Sequence, residues 1–322
     1  MRIKSQYCKR VPVSKGTTIL CENPFSYVVR SAVRDERCDY CLQSGKLSKC
    51  SGCQYVYYCD HNCQRESWPI HKTECTNLKK ISPKVIPDAA RLMARVIIKL
   101  NQGGADEIGY YSETNFRKFK DLMSHLNMNS IGVGIYLGAS VMDHSCKPNA
   151  VAVFEGTTII VRTLVDLPFL DWSQIRISYV DLLNSNKDRQ GELHHSYYFC
   201  CNCEKCKQAE PMAEAAACPN SSCDFPCLIE NDKCEKCGTK LSENFIRSFY
   251  EVKDFTTHHL ETMKTMAYLD VSKICLKKQK GILHSFNIQH IRTLDTAFIA
   301  AVNLECWEDA ELYSKELVPG YL

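Results

Sequence analysis

Of the 322 residues, 21 are cysteine, and most fall into blocks with the spacing of metal ligands. The first block reads Cys38-x2-Cys41-x8-Cys50-x2-Cys53-x5-Cys59-x3-Cys63-x7-His71-x3-Cys75. A structural zinc ion takes four sulfur or nitrogen donors in a tetrahedron, and a Cys-x2-Cys turn offers two thiolates from one knuckle. Two sites follow, with Cys38, Cys41, Cys59 and Cys63 sharing one ion and Cys50, Cys53, His71 and Cys75 the other. This interleaving ties together a segment too short for a hydrophobic core of its own. A later block, Cys218-x4-Cys223 with Cys234-x2-Cys237-Gly238, has zinc-ribbon spacing, and Gly238 permits the tight turn. Cys227 lies close enough to stand in for Cys223. Between these blocks, Cys201-x-Cys203-x2-Cys206 supplies three thiolates and lacks a fourth ligand.

Cysteine on this scale serves disulfides or metals, and the redox compartment decides which. The residues from Met1 to Tyr7 hold no apolar h-region, and no apolar run approaches the roughly 18 residues of a membrane span. A reducing compartment and zinc are therefore expected, with no membrane. Lys+Arg 40 against Asp+Glu 37 leaves a formal charge of +3. That is too balanced for a protein that lives on phosphate backbones. Direct DNA contact is not expected, and Arg65, Lys72, Lys79 and Lys80 read as a solvated face. With 45% apolar residues the chain can bury ordinary cores, and at about 150 residues per domain it suggests two domains.

The elements that must position these ligands can be read from periodicity. Residues 18–20, 27–29, 131–135, 151–154, 158–161 and 175–178 read as strands, broken by Lys15-Gly16, Asn23-Pro24, Glu155-Gly156 and the Pro168 and Asp171 turns. Asp88 is placed to N-cap a helix whose apolar positions are Ala89, Leu92, Met93, Val96, Ile97 and Leu100, with Arg91, Arg95 and Lys99 on an opposite, solvated face. Helical periodicity returns from Glu243. Residues 297–304 and 307–313 read as one helix-turn-helix unit of tetratricopeptide type, which cannot bury its own face and must dock on something. Ala213 to Ala217 reads as a short linker.

The first cysteine block, including Trp68-Pro69-x-His71 before the last knuckle, resembles the MYND zinc finger at every spacing. Asp143-His144-Ser145-Cys146-Lys147-Pro148-Asn149 and Ile177-Ser178-Tyr179-Val180-Asp181, with Gly132-Val133-Gly134-Ile135 before them, resemble SET-domain lysine methyltransferases. Together they resemble the SET-and-MYND (SMYD) family, over about residues 10–207 and more loosely near the C-terminus. The resemblance implies an α+β fold with a β-rich SET core, an inserted MYND finger, a post-SET zinc site, an additional ribbon and a short helical TPR-like C-terminal region. The expected boundaries are 1–37 for the N-terminal part of the SET domain, 38–75 for the finger, and 76–130 for a shortened helical insert. They continue as 131–181 for the SET core, 182–207 for the post-SET segment, 213–240 for the ribbon, and 241–322 for the helical region.

In that family the motif cysteine joins three post-SET cysteines on one zinc, which implies Cys146, Cys201, Cys203 and Cys206 here and about four zinc ions per chain. The resemblance also implies S-adenosylmethionine as cofactor. Tyr179 and Tyr197 are its catalytic residues, and Asp143, His144, Tyr179, Phe199 and Asn115 its cofactor contacts. A lysine amine has a free pKa of about 10.4 and is almost entirely protonated at neutral pH. A narrow apolar channel and a nearby sulfonium both disfavour the ammonium, so no strong base is required and tyrosines that align the amine suffice. The implied substrates are histone tails or other proteins, with proline-rich peptides as partners of the finger. The implied setting is chromatin regulation by a monomer in nucleus and cytoplasm.

The sequence departs from the family in four places. Ile3-Lys4-Ser5-Gln6 replaces a glycine loop at the cofactor. Asp143 replaces an asparagine that contacts the cofactor amine, where a carboxylate would accept more strongly from an ammonium. Asp171-Trp172-Ser173-Gln174 replaces a Gly-Glu-Glu turn, and the insert is short. These departures leave open an alternative, a catalytically weak or inactive SET-MYND scaffold that binds proline-rich partner peptides in transcription regulation.

Overall fold

The computed structural model describes residues 11–112, 114–121, 132–262 and 268–321. The Ile3, Lys4, Ser5 and Gln6 loop and residues 122–131 of the insert lie outside them. The chain forms two compact units, Met1–Tyr179 with Leu193–Cys203, and Val180–Glu192 with Glu204–Leu322. In chain order the strands are β1 (Thr18–Glu22), β2 (Ser26–Val29), β3 (Ser48–Lys49), β4 (Tyr57–Tyr58), β5 (Ile108–Tyr110), β6 (Phe116–Lys118), β7 (Gly132–Ile135), β8 (Asp143–His144), β9 (Ala150–Glu155), β10 (Thr158–Thr163) and β11 (Arg176–Ile177). The helices are α1 (His61–Ile81), α2 (Asp88–Asn101), α3 (Asn186–Tyr197), α4 (Glu204–Lys207), α5 (Glu243–Thr262), α6 (Leu269–Gln279), α7 (Ile288–Asn303) and α8 (Trp307–Tyr321). The fold is therefore mixed helix and strand.

In the first unit, β1, β10 and β9 form an antiparallel sheet in that order. Leu20, Ala150, Ile159 and Val161 of this sheet pack with Met142, Trp172 and Ile175. β2 and β7 pair antiparallel, and their Val28 and Val133 meet Leu92 of α2. The β5–β6 hairpin lies against residues 137–138 at a distance only glycine allows. A Cβ on Gly109 would run into Leu137, and one on Gly138 would sit 2.8 Å from the Tyr110 carbonyl oxygen. The Glu22 carboxylate fixes the same corner by accepting from the backbone N–H groups of Gly138 and Ala139, at 2.8 and 2.9 Å. This close approach brings Asn115, on the hairpin turn, near the segment that leads into Asp143.

β8 and β11 pair in parallel, Arg176 with Asp143 and Ile177 with His144. The strand expected at 175–178 is shorter because its partner turns away. Ser145 N–H donates to the Ile177 carbonyl, and the Tyr179 N–H is then taken by the His144 ring instead of a backbone carbonyl. Asn149 reinforces the pairing, accepting from Arg176 N–H and donating to the Gln174 carbonyl, each at 2.8 Å.

α2 forms where its periodicity predicts, but two expectations about it are corrected. Asp88 is not its cap: Pro87 is the N-cap, and Asp88 lies in the first turn, its carboxylate accepting from Ser31 N–H at 2.7 Å. The face is also rotated. Arg91 and Arg95 are 4% and 5% exposed, whereas Met93 and Ile97 are 61% and 51% exposed. Arginine prefers this inner position only where carboxylates meet it, and Asp39 and Glu74 do so. Lys99 bonds the Phe25 carbonyl at 2.6 Å instead of extending into solvent.

In the second unit, Leu294, Ala297 and Ala301 of α7 pack on Ala310, Tyr313 and Leu317 of α8 and on Leu269 of α6. The small alanines let the helices approach, and α6 covers the face that an isolated pair would expose. The expected linker at Ala213 to Ala217 is corrected. A 3-10 turn occupies Pro211–Glu214, and Ala215 and Ala216 are fully buried. Ala216 bridges Cys227 and Leu283, so the segment is part of the ribbon core with Leu241 and Phe249.

Candidate metal centres and active site

Among the described residues four groups of ligand atoms converge, each with all members within 4.8 Å of one another: Cys38, Cys41, Cys59 and Cys63; Cys50, Cys53, His71 and Cys75; Cys146, Cys201, Cys203 and Cys206; Cys218, Cys223, Cys234 and Cys237. With zinc–sulfur bonds of about 2.3 Å, a tetrahedron has edges of roughly 3.8 Å. The sulfurs of Cys41 and Cys59 are 3.5 Å apart, those of Cys50 and Cys75 3.9 Å, and those of Cys223 and Cys234 3.9 Å. His71 Nε2 is 3.4 and 3.7 Å from the Cys50 and Cys53 sulfurs. The donor sets and spacings fit zinc. In the ribbon, Cys223 joins the group, while the Cys227 thiol points to the Phe225 carbonyl at 3.7 Å. Gly238 adopts φ 71°, the left-handed turn expected of it.

The finger is built on α1, capped by the Asp60 carboxylate on Cys63 N–H at 2.9 Å. His71, Glu74, Cys75 and Leu78 are its buried residues, one stripe at helical spacing. His71 Nδ1 donates to Glu74 at 3.0 Å, leaving Nε2 toward the sulfurs. Glu74 in turn receives Arg91 at 2.9 Å and Arg95 at 2.6 Å, while Arg91 grips Asp39 through both its terminal nitrogens, at 2.7 and 2.9 Å. Arg95 closes the network on Asp39 and on the Tyr27 carbonyl of β2. Burial opposes ionisation of Glu74, but Arg95 and Arg91 overcome it and hold its carboxyl well below the usual range. The only hint in the sequence was two carboxylates set among zinc ligands and two arginines one helical turn apart.

The expected catalytic residues lie together in the first unit. The Tyr179 and Tyr197 rings are 5.0 Å apart, His144 lies 5.3 Å from Tyr179 and 6.0 Å from Phe199, and Tyr197 lies 6.5 Å from Phe199. Tyr179 hydroxyl donates to the Met142 carbonyl at 2.6 Å, and Tyr197 hydroxyl donates to the Tyr179 carbonyl at 3.3 Å. His144 accepts the Tyr179 N–H at Nδ1 and places Nε2 3.2 Å from the Cys146 sulfur. The aromatic cluster is thus anchored on the third metal centre. Tyr198, between two members of the cluster, takes φ 61° and is 87% exposed, while Tyr197 is 7% exposed. That unusual conformation ends α3 and separates the two faces. Burial, then Asp143, push the Tyr179 hydroxyl up to about 12.

Asn115 and Asp143 sit apart from the rings, on a cavity of about 420 Å³ that Tyr111, Val141 and Trp172 also line. Asp143 is largely exposed and faces Arg176 at 4.0 Å. The backbone of Asn115 closes the hairpin turn with Tyr111 and Ser112, which leaves its side-chain amide outside the turn's hydrogen bonds. Sequence reasoning missed Tyr111 and the wall role of Trp172, because a lone aromatic beside a turn carries no spacing signal.

Residues 38–75 match the MYND finger family. Across 374 aligned residues the chain is 26% identical to histone-lysine N-methyltransferase ASHR1 of Arabidopsis thaliana, covering 95% of this chain and 78% of that protein. It is 25% identical to human histone-lysine N-methyltransferase SMYD3, covering 96% and 78%. Against N-lysine methyltransferase SMYD2-A of Xenopus laevis the identity is 24%, covering 92% and 77%. The chain therefore carries a MYND finger and is similar, over most of its length, to SMYD-type lysine methyltransferases.

Proposed function

We propose that this protein is an S-adenosylmethionine-dependent protein-lysine methyltransferase with a SET-type core, acting on histones or other proteins. The observation that carries the reading is the contact of Tyr179, Tyr197, Phe199 and His144 in one cluster on a cysteine metal centre, beside a cavity lined by Asn115 and Asp143. The names of the relatives, all methyltransferases acting on lysine, support it.

The residues present fit the cofactor. A cavity of about 420 Å³ lies in the roughly 300–1,000 Å³ range of small-molecule sites. A carboxylate at Asp143 suits an amino group, and aromatic walls suit a cation and a flat ring. Asp143 and Asn115 would hold its polar groups, while Phe199 and His144, also expected as cofactor contacts, do not line this cavity. Bound there, the cofactor supplies an electrophilic methyl group on a sulfonium.

The protein's own part is to neutralise and aim the amine. A lysine amine brought up to the Tyr179 hydroxyl leaves water, which favours the uncharged amine. Tyr179 stays a neutral hydroxyl at physiological pH, so it takes no proton from the lysine. With its hydrogen committed to Met142 O, its oxygen presents lone pairs to an amine N–H and fixes the nitrogen's direction. His144 holds the backbone of Tyr179, and Cys146 with its metal holds His144. Calorimetry of S-adenosylmethionine binding to the zinc-loaded protein, followed by methyl transfer to histones, tests the reading. Binding and transfer are expected, and no heat of binding at millimolar cofactor would sink it.

A further inference from the structure

Asp143 and Arg176 stand opposite each other in the parallel pairing of β8 and β11. Their nearest charged atoms, Oδ2 and Nη2, are 4.0 Å apart, too far for a hydrogen bond. Arg176 Nη1 donates to the carbonyls of Ser173 and Ile175, at 2.7 and 2.9 Å, which fixes the guanidinium in place. Those bonds use one nitrogen and leave the edge formed by Nε and Nη2 without an acceptor among the described residues, while the Asp143 carboxylate has only this distant arginine. The two side chains are 78% and 32% exposed, and an ion pair so open to water adds little stability. Asp143 and Ser173 both line the cavity of about 420 Å³. The guanidinium, bonded to one of them and 4.0 Å from the other, therefore stands at the cavity wall. Both charges are felt at Tyr179, since burial and then Asp143 raise the pKa of its hydroxyl and Arg176 lowers it.

We propose that Asp143 and Arg176 together receive the α-amino-acid end of S-adenosylmethionine, Arg176 being the residue that recognises its carboxylate. The proposal rests on the methyltransferase reading of the cavity. The ammonium and the carboxylate of an α-amino acid hang on one carbon and present opposite charges side by side. An anion and a cation fixed a few ångströms apart match them in reverse order, with the ammonium on Asp143 and the carboxylate on Arg176. The free Nε and Nη2 edge offers two parallel N–H donors to the two carboxylate oxygens, a geometry that a lysine cannot supply. A ligand with the ammonium alone would satisfy Asp143 and bring its charge against an unanswered arginine, so the pair selects as well as binds.

Decarboxylated S-adenosylmethionine isolates this contact, because it keeps the adenosine, the sulfonium and the ammonium and lacks only the carboxylate. Calorimetry measures the affinity of both ligands for the zinc-loaded full chain and for Arg176→Gln, with zinc content and circular dichroism confirming that the variant folds. The parent is expected to prefer S-adenosylmethionine by about 10-fold or more, the order of a hydrogen-bonded contact between charged groups. In Arg176→Gln, S-adenosylmethionine is expected to bind about 10-fold more weakly and the decarboxylated ligand at least as well as in the parent, so the preference disappears. A residue that only props up the wall would weaken both ligands alike. Equal losses, an unchanged preference in the variant, or no preference in a parent that binds both overturns the assignment and leaves the methyltransferase reading standing. Absence of S-adenosylmethionine binding in the parent overturns both. If Arg176→Gln does not fold, Arg176→Lys takes its place: losing the fork is expected to cut the preference by at least about threefold, and an unchanged preference overturns the assignment.

Discussion

Tyr179 combines two properties that are separable by a single substitution. Its ring closes the aromatic cluster, and its hydroxyl is anchored on Met142 O. Phenylalanine keeps the first and removes the second, so Tyr179→Phe is expected to hold cofactor affinity within about twofold while turnover falls on the order of 100-fold, as misaimed reactants do. Isothermal titration and single-turnover rates check this, and an active variant would remove Tyr179 from its role. Because its hydroxyl stays protonated up to about pH 12, a rate that rises between pH 7 and 10 is expected to follow the substrate lysine and to keep its shape in other variants. The ribbon offers a second residue-scale test. Cys223→Ser is expected to lose one zinc and Cys227→Ser none, read by elemental analysis, since Cys223 stands with the ligands and Cys227 does not. The ligand types were legible in the sequence, but the choice between two nearby cysteines depends on which way each side chain leaves the backbone.

α2 and α7 each bury polar groups whose partners come from distant segments. On α2, Arg91 and Arg95 bind Asp39 and Glu74, and Glu74 also holds the zinc ligand His71. Removing one partner leaves an uncompensated buried charge, so Glu74→Gln or Arg95→Met is expected to destabilise the first unit by about 3–5 kcal/mol in urea unfolding. Glu74→Gln is also expected to speed zinc release to a chelator from one of the four sites, because a ligand histidine without its orienting carboxylate binds more weakly. On α7, His290 Nδ1 donates to Gln279 Oε1 at 2.8 Å, and the Gln279 amide donates to Thr256 and Thr293. Burial, then His284, lower the His290 pKa from 6.5 to about 4. The neutral ring belongs to the folded state, so stability is intact above the unfolded value of 6.5. As pH falls below that value, the unfolded chain takes up the proton first, and stability declines by up to about 1.4 kcal/mol per unit until about pH 4. Unfolding midpoints measured from pH 7 to 4 check this, and His290→Gln is expected to flatten the slope. Helical periodicity foretold α2, yet it assigned its arginines to solvent, because a hydropathy pattern cannot see carboxylates that arrive from residues 39 and 74.

At the scale of the whole chain, the four ligand groups predict four zinc ions per molecule. Elemental analysis is expected to return that number, and two or fewer would contradict it. Chelation is expected to cost more than metal, since Cys146 touches the histidine that supports Tyr179; loss of the third ion should therefore lower cofactor affinity along with zinc content. What the sequence determined by itself was chemistry of fixed local reach: knuckle spacings, the helix that begins at Asp88, the strands around Asp143, and the residues that resemble a methyltransferase site. A thiolate pair in Cys-x2-Cys is set by a few backbone angles, so its function survives translation into sequence. Only the tertiary structure decided which groups meet across long separations. It turned Arg91 and Arg95 inward, buried the segment that read as a linker, gathered Tyr179, Tyr197 and Phe199 around His144, and set Arg176 opposite Asp143 beside a cavity. Those outcomes depend on desolvation and on partners far away in the chain, and neither is a property of any local stretch of residues.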